Sequence, residues 1–189
     1  MTLRLLTAGE SHCPALVGIV DGLPSGLRLS EEDIRRDLAR RQFAHGRGGR
    51  QKIEKDNARI LGGLVRGMTT GAPVALMIEN LDYKNWKGLE VPPNRVPRPG
   101  HADLAGCLKW GFDDTRFVSE RSSARETAMR TALGSVCKTL LFEAGITCVA
   151  QVLAIGTARA KASNLAPARL AAAVDASAVR CADLVASRR

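Results

Sequence analysis

The sequence predicts a mixed fold of short strands and amphipathic helices, and three observations carry that expectation. Apolar runs bounded by turn residues open the chain, at Leu3 to Thr7 and at Pro14 to Asp21. Ser30 followed by Glu31, Glu32 and Asp33 is a helix start: the serine caps free backbone N–H groups, and the acids favour the positive end of the dipole. Met129, Leu133, Val136, Cys137 and Leu140 fall on one face at helical spacing.

The elements follow in order. After the two opening strands, Gly22 to Gly26 is a turn-rich connection, and Leu27 to Leu29 extends the sheet. A helix runs from the Ser30 cap to about Arg41, and residues 42–51 form a glycine-rich basic loop. Strands resume near Ile53, over Ala58 to Leu61 and over Ala72 to Ile78. Residues 81–100 hold four prolines and little periodicity, which reads as a long loop; such loops are usually functional or mobile. A helix covers Ala102 to Trp110. Ser123 and Glu126 have capping-box spacing before the next helix, which stops near Gly145. Ile146 to Ile155 alternates as a strand, and Pro167 to Ala178 is an alanine-rich helix. No internal domain boundary stands out in residues 1–189.

Composition narrows the function. Hydrophobic residues make up 45% of the chain, enough for a core, while aromatics are only 4%, so that core is aliphatic. The formal net charge is +9, and most of the surplus lies between Arg35 and Arg66. Such an excess points to an anionic partner: nucleic acid, a membrane surface or a phosphorylated small molecule. No apolar run approaches membrane-spanning length, and the N-terminus has no signal-peptide core. Five cysteines, odd in number and without CxxC spacing, read as free thiols in a reducing cytoplasm. Walker, GxGxxG and HExxH patterns are missing, and nothing suggests a metal site.

Three segments could carry chemistry. Ser11 and His12 lie in the turn between the first two strands, where an imidazole could donate a proton; the bland alternative is a locally satisfied turn histidine. The loop from Arg41 through Gly46-Arg47-Gly48-Gly49-Arg50 sets guanidinium groups beside flexible backbone, as an anion clamp or as a solvated loop. His101 stands at a helix entrance, and Arg121, Ser122 and Ser123 at another; helix N-termini bind anions, or Ser123 merely caps and His101 merely packs. Unaided, the residues describe a binder of a phosphorylated ligand with histidine available for proton transfer.

Taken together, the segments AGESH (8–12), GLPSGL (22–27), ARRQ (39–42), GRGGR (46–50), KIEKD (52–56), PRPGHADLAG (97–106) and ERSSARETA (120–128) resemble the chorismate synthase family, in family order along nearly the whole chain. The resemblance implies an α+β sandwich of β-sheets around helices, here the N-terminal part only. It implies the anti-1,4-elimination of phosphate from 5-enolpyruvylshikimate 3-phosphate to give chorismate, with reduced FMN (FMNH2) required and no net redox change. By position, His12 matches the histidine beside the substrate phosphate, and His101 the histidine near the reduced flavin. Arg121, Ser122 and Ser123 match an FMN-contacting stretch. Arg41 and Arg47 match positions assigned to NADP(H), and also suit the substrate's anionic groups. The resemblance further implies a cytoplasmic homotetramer without nucleic-acid or membrane partners; the competing readings are a non-catalytic remnant that binds flavin or a phosphorylated ligand and a basic nucleic-acid-binding protein, the latter disfavoured by the few aromatics and the ordered enzyme motifs.

The sequence departs from the family pattern in places. Cys13 follows the histidine where glycine is usual, Phe43-Ala44-His45 precedes GRGGR, and Phe117 and Ser119 replace other residues. Family members continue well past Arg189, and the remainder supplies further flavin and substrate contacts. The expectation is therefore a chain that cannot complete the reaction alone, is marginally stable and exposes apolar surface.

Overall fold

The computed structural model describes residues 2–43, 50 and 53–189. Strands β1 (Arg4–Ala8) and β2 (Ala15–Asp21) form a hairpin, followed by helix α1 (Glu31–Gln42). Then come β3 (Ala58–Gly62), β4 (Leu64–Val65), β5 (Met68–Thr69) and β6 (Val74–Glu79). Four helices follow: α2 (Tyr83–Trp86), α3 (Asp103–Trp110), α4 (Arg116–Arg121) and α5 (Glu126–Glu143). The chain continues through β7 (Ala154–Ile155), β8 (Ala158–Arg159), α6 (Pro167–Ala176) and α7 (Leu184–Ser187).

The main sheet is antiparallel throughout, in the order β1-β2-β6-β3. Alternation decides which face is buried. Leu16, Gly18 and Val20 of β2 and Val74, Leu76 and Ile78 of β6 are all buried, with intermediate residues between them. Helices α1 and α5 cover that face, joining Ile34, Leu38, Met129, Leu133 and Val136 to one cluster. Gly18 permits the approach: a Cβ there would lie 2.5 Å from Met129 Sδ and 2.9 Å from a Leu133 methyl. The result is α+β, a sheet with one layer of helices.

The α1 cap forms as expected. Ser30 accepts from the Asp33 N–H, and its hydroxyl donates to the Asp33 carboxylate at 2.6 Å, holding that carboxyl below its usual range. Other expectations need correction. The segment around Ile53 is a turn, and Leu27 to Leu29 joins the β4–β5 hairpin through an Arg28–Met68 bridge instead of the main sheet. Residues 81–100 contain α2, held by Trp86 Nε1 and Asn85 Nδ2 donating to Asp82. Helix α4 was not anticipated, because its six residues are too few to display a period. Of the strand expected over Ile146 to Ile155, only the last two residues pair, with β8. Alternation supplies a face but not a partner, and a strand needs both.

Candidate functional site

The turn between β1 and β2 follows the carboxyl end of β1, and Gly9 makes it possible. Its φ is +104°, and a Cβ there would lie 2.6 Å from the Ala15 carbonyl oxygen. Asn80, at the end of β6, fastens the same turn by donating to the carbonyls of Glu10 and Cys13. Cys13 adds a thiol that donates to the Ala15 carbonyl at 2.9 Å, so the departure from glycine tightens the turn.

Ser11 and His12 project from that turn toward α4. The Ser11 N–H donates to the Glu120 carbonyl at 3.0 Å, and the His12 N–H to Glu120 Oε2 at 2.9 Å. His12 Nδ1 lies 2.7 and 2.8 Å from the two Glu120 oxygens. The ring rests on Trp86, with centroids 3.9 Å apart. Its other nitrogen, Nε2, is 3.2 Å from Arg50 Nη1. Arg50 also donates to Ser11 Oγ, and Ser11 Oγ accepts from Ser123 Oγ at 3.1 Å.

Beneath this cluster lies a buried charge network. Glu54 and Asp56 are both nearly inaccessible. Arg50 pairs with Glu54 at 3.1 Å, and Arg125 lies between Glu54 at 3.6 Å and Asp56, with which it makes a close ion pair. Arg125 also donates to Asn80 Oδ1 and to the Glu79 carbonyl. Arg41 donates to Asp56 at 3.0 Å, to the Ala124 carbonyl at 2.9 Å and to Thr127 Oγ1 at 2.8 Å. The described bonds of Arg41 thus tie α1 to the start of α5. Arg47 lies outside the described residues.

Arg121 fastens β1 to α5: it donates to the carbonyl and hydroxyl of Thr7 and ion-pairs closely with Glu126. Glu126 also accepts from Thr7 Oγ1 and from Arg130. The expected capping box is therefore not made. Glu126 is taken by these partners, Arg125 occupies the cap position in helical conformation, and Ser123 Oγ accepts from the Arg125 N–H instead of the Glu126 N–H among the described residues. Ser122 Oγ donates to the Val118 carbonyl at 2.7 Å.

His101 lies on an exposed bend before α3. Its Nδ1 is 3.1 Å from Arg98 Nη2 and 3.4 Å from Asp103. Bonds from Arg98 hold the Asp103 carboxyl down at about 2. No described hydrogen bond joins the two histidines. The clusters adjoin through Arg98, whose guanidinium feels the Glu120 carboxylate.

Sequence reasoning found Ser11, His12, Arg41 and Ser123 at this centre but gave no role to Glu120, Glu54, Asp56 or Arg125. All four lie inside the motifs quoted above; Glu120 and Arg125 meet partners distant in sequence, and although Glu54 pairs with Arg50 four residues away, the reading gave that spacing no weight. Trp86 and Asp82 fell in a stretch read as loop.

The family model for chorismate synthase matches residues 3–189. Chorismate synthase of Frankia alni is 47% identical over 203 residues, covering 99% of this chain and 51% of that protein. The Rubrobacter xylanophilus enzyme is 53% identical over 197 residues, with 100% and 50% covered. A solved chorismate synthase structure superposes with a TM-score of 0.77 at 35% identity, covering 100% of this chain and 51% of that one. The chain thus spans about half the length of the relatives it matches. With the family model matching residues 3–189 and both relatives and the solved structure aligning over nearly the whole chain, the chain belongs to the chorismate synthase family.

Proposed function

We propose that this chain carries the phosphate-facing part of a centre that eliminates phosphate from 5-enolpyruvylshikimate 3-phosphate to give chorismate. One observation carries the reading: His12 Nε2 and Arg50 Nη1 lie side by side at 3.2 Å, with Ser11 Oγ on the same guanidinium. A phosphate oxygen entering there would take the Arg50 donor, leaving the Nε2 lone pair free to pick up a proton from solvent; the imidazolium so formed, its Nδ1–H held by Glu120, would pass the Nε2 proton to the phosphate as the C3–O bond breaks. The buried carboxylates Glu54 and Asp56 hold the surrounding arginines against mutual repulsion.

Reduced FMN supplies transient electron donation in the family reaction. The α4–α5 turn fits its phosphate: Arg121 is partly exposed, and Ser122 and Ser123 stand beside the positive end of an 18-residue helix. His101, exposed beside Arg98, is the proposed flavin-side imidazole. For NADP(H) the support is thin, since the described bonds of Arg41 run to protein groups. Among the described residues no helix is long and apolar enough to cross a membrane. We place the protein in the cytoplasm as part of a homotetramer, in keeping with the family.

The relatives are twice as long, so the chain alone should bind FMN weakly and form no chorismate. A flavin-fluorescence titration and an anaerobic chorismate assay test this. Turnover by the isolated chain would refute the claim that it holds only part of the centre, and FMN failing to bind even when the missing half is supplied would refute the flavin assignment.

A further inference from the structure

We propose that Glu120 is a positioning residue that fixes the tautomer of His12, so that Nε2 is the nitrogen that exchanges protons with the ligand. A carboxylate can only accept hydrogen bonds and a guanidinium can only donate. Nδ1, at 2.7 and 2.8 Å from both Glu120 oxygens, therefore carries the ring hydrogen, and Nε2, at 3.2 Å from Arg50 Nη1, presents its lone pair. A carboxylate behind an imidazole is a recurrent device for setting tautomer and ring orientation.

Glu120 is itself held. It accepts from the His12 N–H through Oε2, while its own carbonyl accepts from the Ser11 N–H. The residue thus grips both backbone and ring of the turn and ties α4 to it. The far side of the ring is closed by Trp86, whose Nε1 donates to Asp82 at 3.2 Å; Asp82 lies 3.6 Å from Arg50. His12, Trp86, Asp82 and Arg50 make a closed circuit around the imidazole, and Glu120 sets which nitrogen faces into it. Asp82 has its carboxyl lowered by Asn85 first and then by Trp86, Arg50 and His12, which keeps it ionised. This inference bears on catalysis only if His12 acts as proposed above, but the tautomer is a property of the chain itself.

Three histidines make the test direct. Long-range proton–nitrogen NMR spectra of the ¹⁵N-labelled 189-residue chain, taken where the imidazoles are neutral, assign His12 by comparison with H45N and H101N. The expected result is His12 as the Nδ1–H form, against the Nε2–H form favoured by free imidazole. Glu120→Gln should cut the ratio of the two forms on the order of tenfold, the weight of one charge-assisted hydrogen bond. Glu120→Asp should retain part of the preference. A wild-type His12 in the Nε2–H form overturns the proposal without touching the family assignment. So does an unchanged ratio in E120Q. Should E120Q lose its fold by circular dichroism, the wild-type spectrum decides the tautomer and E120D, by weakening the preference or leaving it unaltered, decides the role of Glu120.

Discussion

Arg125 stands between two carboxylates that have left water, and the site rests on it. Its side chain is 5% exposed, against 3% for Glu54 and 1% for Asp56. Removing one partner of such a network strands the others, at a cost of about 3–5 kcal/mol. Arg125→Met should therefore lower the unfolding free energy obtained from urea denaturation by that amount, and adding Asp56→Asn should recover part of the loss. Asp103 gives a pH signature. Its carboxyl is depressed from 3.8 to about 2, chiefly by Arg98 side-chain bonding. A group depressed in the folded state adds stability above its unfolded value and loses it as pH falls through the folded value. The gap between wild type and Asp103→Asn should thus be full above about pH 4 and close toward pH 2; a gap constant across that window contradicts the assignment. Neither role was legible in the sequence. Arg125 and Asp56 are 69 positions apart, and only the fold brings them together.

At the scale of elements, what was legible is what is local. Helix α1 carries its own start signal, and the stripe on α5 predicts which face meets the sheet. The strand expected over Ile146 to Ile155 failed because pairing is not local: Val152 donates to the Arg180 carbonyl, and Leu153 accepts from the Ala160 N–H. The capping box failed for a related reason, since Glu126 bonds with Arg121 and Thr7 from other elements. The turn of Gly9 shows how backbone geometry serves chemistry. Gly9→Ala forces a side chain into a positive-φ position against the Ala15 carbonyl. Strain of that kind costs about 1–3 kcal/mol. Thermal unfolding should register that loss, and the His12 ring should lose its contact with Glu120 in NMR spectra.

Across the whole molecule, the packing is uneven. The sheet, α1 and α5 share one core, whereas residues 146–189 contribute only Val174 and Cys181 to the buried hydrophobic set. Amide hydrogen exchange should therefore be fast over 146–189 and slowest in β2, β6 and α5; uniform protection would contradict this. Apolar surface is also left open, with Leu104, Leu108 and Trp110 of α3 each more than half exposed. The chain alone should bind a hydrophobic dye and associate with rising concentration in sedimentation experiments. The family was legible because its motifs are contiguous; the extent of the open surface was not, since it depends on what stands opposite each helix.

Arg180 turns this loosely packed region into a remote support for the end of the molecule that carries Arg41. Its guanidinium accepts the role of a cap, donating to the carbonyls of Arg40 and Phe43 at the last turn of α1 and pairing with Asp175. A protease cut just ahead of this arginine would leave those two oxygens to the solvent and let the helix fray from its end. The damage would travel backward along the chain to Arg41 and its grip on Asp56, so a nick more than a hundred residues downstream would be felt in the buried charge network beneath His12.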